Sequence, residues 1–380
     1  MPKNDVSSWD TTPANNTDVG GVDLAENSMR PRDVNNAIRT MMAQIASGIL
    51  AWPTTTIELG HATDTTLSRG AAGFMAVEGK RVPSPGSQAA GDILYRGATE
   101  WERLAKGTAL QVLRQNSALT APEWATAREV LSANRTYYVR TDGSDSNNGL
   151  ADTSGGAFLT LQKAINVVVT LDLAGFTVTI QLGDGTYTGG AAVSTPFLGG
   201  PVVINGNSGT PGNVIVDPSG AVCFGVTCAT KLTVQNLEMR GGTGFSATSP
   251  GAQIAGGAGL RFGAATSFHT LAGSGGYVEL TANYTISGAA VCHYYGVSGG
   301  LIQAASLTVT NSGTNAFSTA FAMAEETAVL RTFLSTYTGG TITGKRYGVT
   351  TNAVIQTFGG GANYFPGNSV GTTATGGQYA

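Results

Sequence analysis

The run FLTLQKAINVVV (Phe158–Val169) decides how the rest of this 380-residue chain is read. It sets Leu161, Ala164, Ile165, Val168 and Val169 at i, i+3, i+4, i+7 and i+8, one apolar face of a helix, with Thr160 or Thr153 near its start as a cap. The chain around it is of another kind. From position 139 onward lie 43 of the 54 glycines but only 18 of the 45 Asp, Glu, Lys and Arg residues. Short β-prone strings follow one another there: Thr177–Leu182, Val202–Asn205, Val214–Val216, Leu232–Met239, Tyr277–Leu280, Leu307–Asn311, Thr341–Thr343 and Ala353–Thr357. Most are bounded by Gly, Pro, Asn or Asp, the punctuation of strands and turns.

Disorder requires low hydrophobicity and high net charge. Here 41% of residues are apolar and the net charge is −3, so a folded β array is expected. Such an array is either an antiparallel sandwich or a parallel β-helix. Hairpin dipeptides such as Asp142-Gly143, Asp184-Gly185 and Asn205-Gly206 are too few for a meander. One amphipathic helix ahead of the strands is what an open coil stack needs, because its apolar face covers the first coil and blocks end-to-end pairing. The Phe158–Val169 helix therefore selects the β-helix, with Leu161, Ile165 and Val168 as its cap.

Upstream, residues 1–28 are polar and turn-rich and hold no run long enough for a signal peptide or a membrane span. Pro31–Leu50 then reads as a helix whose apolar face is Val34, Ile38, Met41, Met42, Ile45 and Ile49. A lone helix of this size is marginal in water, so that face is expected to bury itself in a three-chain bundle or a socket. Residues 53–128 offer short strands with scattered apolar groups, too few for a one-chain core, and strands from identical chains are expected to supply the partners. Trp101 and Trp124 read as core or interchain anchors.

Three sets of residues carry a resemblance. YYVRTDGSDSNNGL and GGAFLTLQKAINVV (within Tyr137–Val168) resemble the entry to the right-handed parallel β-helix of bacteriophage tail fibres and tailspikes, a fold shared with pectate-lyase-like enzymes. Ser7–Ile45 and Gly91–Ala125 are similar to the attachment and shaft segments of such fibres, and Lys345–Gly367 to their closing coils. The resemblance implies a mainly β, elongated homotrimer. Its parts would be an attachment segment with a helix at 1–52, an intertwined β-rich shaft at 53–136, a β-helix body at 137–358 and a Gly-rich tail at 359–380. It also implies a structural virion protein made in the host cytoplasm. Its partners would be two copies of itself, a tail or baseplate protein at the N-terminus, and a bacterial surface glycan or other receptor.

Enzyme chemistry on this scaffold would need paired carboxylates across a sugar ring. The candidates are Asp184 with Asp217 and Glu238 with Glu279, provided that their separations match whole coils. A non-enzymatic fibre is the main expectation. The alternatives are a polysaccharide depolymerase (a hydrolase or lyase) and an adaptor carrying a separate tip protein. Receptor contact is expected from late aromatics, with Tyr294, Tyr295, Tyr337 and Tyr347 as candidates, since aromatic faces stack on sugars.

No cofactor or metal is called for. Cys223, Cys228 and Cys292 are odd in number, sit in apolar strings and read as reduced buried thiols. The loop Asp142–Gly149 has oxygen ligands at alternate positions but no distal glutamate, so it reads as an Asx-rich turn rather than a calcium loop. The absence of a basic stripe argues against nucleic-acid binding, and no membrane insertion is expected.

Overall fold

A computed structural model describes residues 18–19, 22–23, 30–50, 56–58, 66–71, 74–77, 80–81, 89–98, 101–109 and 111–380. The chain divides into two units, Met1–Ala127 and Arg128–Ala380.

The second unit is a parallel β-solenoid of about eight turns with three faces. Its first face is a ten-stranded parallel sheet running from Arg135–Val139 through Val178–Leu182 and Val202–Asn205 to Val354–Gln356 and Gln378–Tyr379. The second face begins with Gly185–Tyr187, Val214–Val216 and Glu238–Gly241, and the third with Ala191–Val193, Val222–Val226 and Thr243–Ala247. Late in the stack the 17-residue strand Thr308–Ala324 turns the corner unbroken and joins the second and third faces into one sheet.

Stacking is fixed by what points inward. The aligned positions Val178, Val202, Leu232, Ile254, Val278, Ile302, Leu330 and Ile355 form an aliphatic ladder, every rung buried. Each rung contributes roughly 1.5–3 kcal/mol of burial. The ladder numbering gives coils of 22 to 30 residues, the longest being the one from Val202 to Leu232.

Corners need left-handed backbone. Between the third and first faces, five successive coils turn on two positive-φ residues: Ser274-Gly275, Ser298-Gly299, Glu326-Thr327, Thr351-Asn352 and Thr375-Gly376. Beyond such a turn the chain passes so close to the coil below that a Cβ on Gly300 would lie 2.1 Å from the Ala272 carbonyl oxygen. Glycine is required at position 300 by this contact.

Helix α2 (Leu161–Val168) seals the start of the stack. Leu161, Ala164, Ile165 and Val168 are buried in the solenoid core, whereas Val169 is the C-cap residue and only partly buried. Thr160 is the N-cap, accepting from the Lys163 amide at 3.2 Å.

One strand expectation is revised. The string Leu232–Met239 is two strands, Thr230–Gln235 and Glu238–Gly241, because Asn236 takes φ 59° and turns the chain onto the next face. Within the Gly-rich segment 359–380, Thr372–Thr373 pairs on Gly348–Val349 and Gln378–Tyr379 on Val354–Ile355. Tyr379 stacks on Tyr347 at 3.7 Å, so aromatic contact replaces the charges that this segment lacks.

In the first unit, helix α1 (Pro31–Leu50) buries Ala37 and leaves Val34, Ile38 and Met42 exposed by 42%, 46% and 65%. Met41 is half-buried, and the side chains of Ile45 and Ile49 lie outside the described residues. Among the described residues, strands of this unit pair as antiparallel hairpins. Ile93–Arg96 pairs with Trp101–Leu104, Gln111–Gln115 with Pro122–Thr126, and Thr66–Ala71 with both Thr56–Glu58 and Phe74–Val77. Trp124 donates its indole N–H to the Ala105 carbonyl at 2.7 Å, and Trp101 is exposed.

Candidate functional site

Outward positions of the solenoid carry its surface chemistry, and one cluster there is built differently from the rest. Glu238 lies on the second face with 4% exposure. Its Oε1 accepts from Arg240 Nε at 2.8 Å and its Oε2 from Arg261 Nε at 3.1 Å, while Ser287 Oγ lies 3.3 Å from Oε1. Arg240 sits two residues along the same strand and Arg261 one coil further, directly in register with Glu238. The site is roomy enough for a carboxylate because its neighbours are glycines. A Cβ on Gly263 would come within 2.8 Å of Glu238 Oε1, and one on Gly212 within 3.7 Å of Oε2. The Arg side chains are 43% and 33% exposed, against 5% for that of Glu238.

Beside this cluster the surface dips into a recess of about 430 Å³, lined by Thr210–Asn213, Gly259–Arg261 and Asn283–Thr285. The turn Pro211–Asn213 raises one wall, and it belongs to the longest coil, Val202 to Leu232. Asn213 is held in place by donating to Asp184 at 3.1 Å.

The acids of the two pairs named from the sequence fall on different faces or corners of the stack. Asp184 lies at the corner between the first and second faces, where amides of Asn207 and Asn213 hold its carboxyl below the usual range. Asp217 lies at the next corner and accepts from the Ser219 amide at 3.2 Å. Glu279 is on the first face, paired with Lys231 at 3.4 Å, and Glu238 is on the second. The sequence separations are not whole coils, so each acid meets a local partner instead of the other acid. Asp217 and Asp184 thus shape turns, and Glu238 organises two arginines.

The tyrosine candidates also separate. Tyr294 and Tyr347 are buried and cannot offer a face to an external sugar. Tyr337 sends its hydroxyl into the interior, where burial raises its pKa. Tyr295 alone of the four stands outward, half-buried, stacked on Phe268 at 4.3 Å and donating to Glu325 Oε2 at 2.9 Å.

Sequence reasoning missed an interior polar chain. His269 Nε2 donates to the Gly263 carbonyl at 2.9 Å, which can only accept. The Nδ1 of a neutral His269 must therefore accept from His293 Nδ1 at 2.9 Å, and His293 Nε2 then accepts from the Tyr284 hydroxyl at 2.7 Å. Tyr294 donates to Tyr284 at 2.5 Å. One orientation satisfies each of these groups, and it keeps both histidines neutral. Burial pulls the His269 pKa down to about 4 and that of His293 well below its ordinary value. Phe262, Phe317 and Phe321 pack around the pair. The signal was present as two histidines one coil apart, but only the register shows that they meet.

Among the described residues no group of His, Cys, Asp and Glu is arranged to hold a metal ion. In the Asp142–Gly149 loop the Asp145 carboxylate accepts from the Leu159 and Thr160 amides and the Thr160 hydroxyl. Cys223 and Cys292 are buried free thiols, each pushed up to about 12 by desolvation; Cys228 is half-buried and free. No family model, curated protein or solved structure matches the chain.

Proposed function

We propose that this chain is a non-enzymatic tail fibre or tailspike of a tailed phage or prophage. It would form a homotrimer, dock on the tail or baseplate through residues 1–52, and meet a bacterial surface glycan with the flank of its solenoid. The observation that carries this reading is the exposed apolar strip Val34, Ile38 and Met42 on α1, in a chain whose C-terminal unit is a sealed parallel coil stack. In a single chain that strip faces water; three copies of α1 packed together would cover it.

Binding rather than cleavage is supported by the engagement of Asp184, Asp217, Glu238 and Glu279 with local partners on different faces and corners. The test is to incubate labelled full-length protein with intact bacteria and with the same cells stripped of capsule or lipopolysaccharide. Binding lost on stripping, with no new reducing ends or unsaturated products, is the expected result. Equal binding to stripped cells, or product formation, would contradict it.

A further inference from the structure

The geometry points to the Glu238–Arg240–Arg261 cluster and its adjoining recess as a binding site for the carboxylate of an acidic sugar. This deepens the proposed glycan-binding role and rests on it. Each guanidinium spends its Nε on Glu238, and among the described residues neither terminal pair of amino groups has a protein partner. Glu238 is a positioning residue: held by Ser287 and walled by Gly212 and Gly263, it fixes two planar forks at the surface.

Charge decides the class of ligand. One carboxylate against two guanidinium groups leaves a local excess of one positive charge, on a chain whose net charge is −3. A guanidinium fork matches a carboxylate with two parallel hydrogen bonds, and a fork already immobilised loses less side-chain freedom on binding. The recess is large enough for a monosaccharide ring, and Thr210 and Thr285 bring hydroxyl groups to its wall. A neutral sugar would leave the forks unpaired, whereas a uronate would satisfy them.

The experiment titrates full-length protein calorimetrically with tri-galacturonate, its methyl ester and inorganic phosphate. Saturable binding of the acid, about tenfold or more tighter than the ester and than phosphate, is expected. Arg261→Gln should weaken it by a similar factor, Glu238→Gln should weaken it less, and Lys231→Gln on the first face should leave it unchanged. Circular dichroism and melting of each variant separate lost binding from lost folding, and Arg240→Gln serves as a second probe if Arg261→Gln does not fold. Equal binding of acid and ester, no binding of the acid, phosphate binding as tight as the acid, or full affinity in both arginine variants would overturn the assignment. Glycan-dependent adhesion to cells that persists in Arg261→Gln would overturn this site while leaving the broader role intact; absence of any glycan-dependent adhesion would instead remove the role.

Discussion

The Nδ1 atoms of His269 and His293 face one another at 2.9 Å inside the solenoid, with a backbone carbonyl beyond one ring and a tyrosine hydroxyl beyond the other. Protonating either ring places a charge in a dry interior and turns an acceptor into a donor facing a donor. The folded state therefore holds both rings neutral, with pKa values depressed below the 6.5 of an exposed histidine. Between that value and about 4 the unfolded chain binds protons that the folded chain refuses. The stabilisation is complete above the unfolded pKa and is lost as pH falls through this window, by up to about 1.4 kcal/mol per pH unit for each ring. Urea unfolding at about pH 7, 6 and 5 should show the loss, and His269→Gln should flatten the slope. Equal stability across that range would contradict the neutral pair.

The cap on the first coil is held through Asp145. Its carboxylate binds two amides and the Thr160 hydroxyl, and Thr160 in turn caps α2. Asp145→Ala should cost about 2 kcal/mol and Thr160→Ala about 1 kcal/mol, with the double variant less than additive because the two share a bond. Full additivity in denaturant melts would count against a single capping unit.

Corner turns predict a gain as well as losses. Thr327 is β-branched and sits at φ 63°, where all four equivalent corners carry glycine or asparagine. Thr327→Gly should stabilise by about 1 kcal/mol, the relief of strain exceeding the added freedom of the unfolded chain. Its opposite is Gly300→Ala, where the added methyl meets the Ala272 carbonyl oxygen at 2.1 Å and should destabilise the fold by about 2 kcal/mol or more. Thermal melts of the two variants should move in opposite directions.

The α1 strip predicts an assembly defect without a fold defect. Ile38 is exposed within the single chain, so Ile38→Asp should leave the solenoid melting unchanged while dissociating the proposed trimer into protomers at micromolar concentration. A charged variant that remained fully assembled would place the subunit contact elsewhere.

Sequence patterning revealed the coil stack wherever β-branched runs alternate, as at Val178–Leu182 and Val202–Asn205, and it revealed the cap through the spacing of Leu161, Ile165 and Val168. It passed over Thr243–Ala247, Ala252–Gly256 and Arg261–Ala265, because strands made of Gly, Ala and Ser have weak β propensity and form here through stacking on neighbours. The chemistry was harder to read. Glu238 meets Arg261, and His269 meets His293, only through a coil length that varies from 22 to 30 residues. Tyr294 and Tyr295 are adjacent in sequence, yet one is interior and the other outward, since successive strand residues point to opposite faces.

The most direct test is the solution mass of the intact chain by light scattering coupled to size exclusion. A homotrimeric fibre predicts three times the 38.7 kDa protomer, persisting on dilution into the micromolar range. A stable particle of one protomer mass would contradict it.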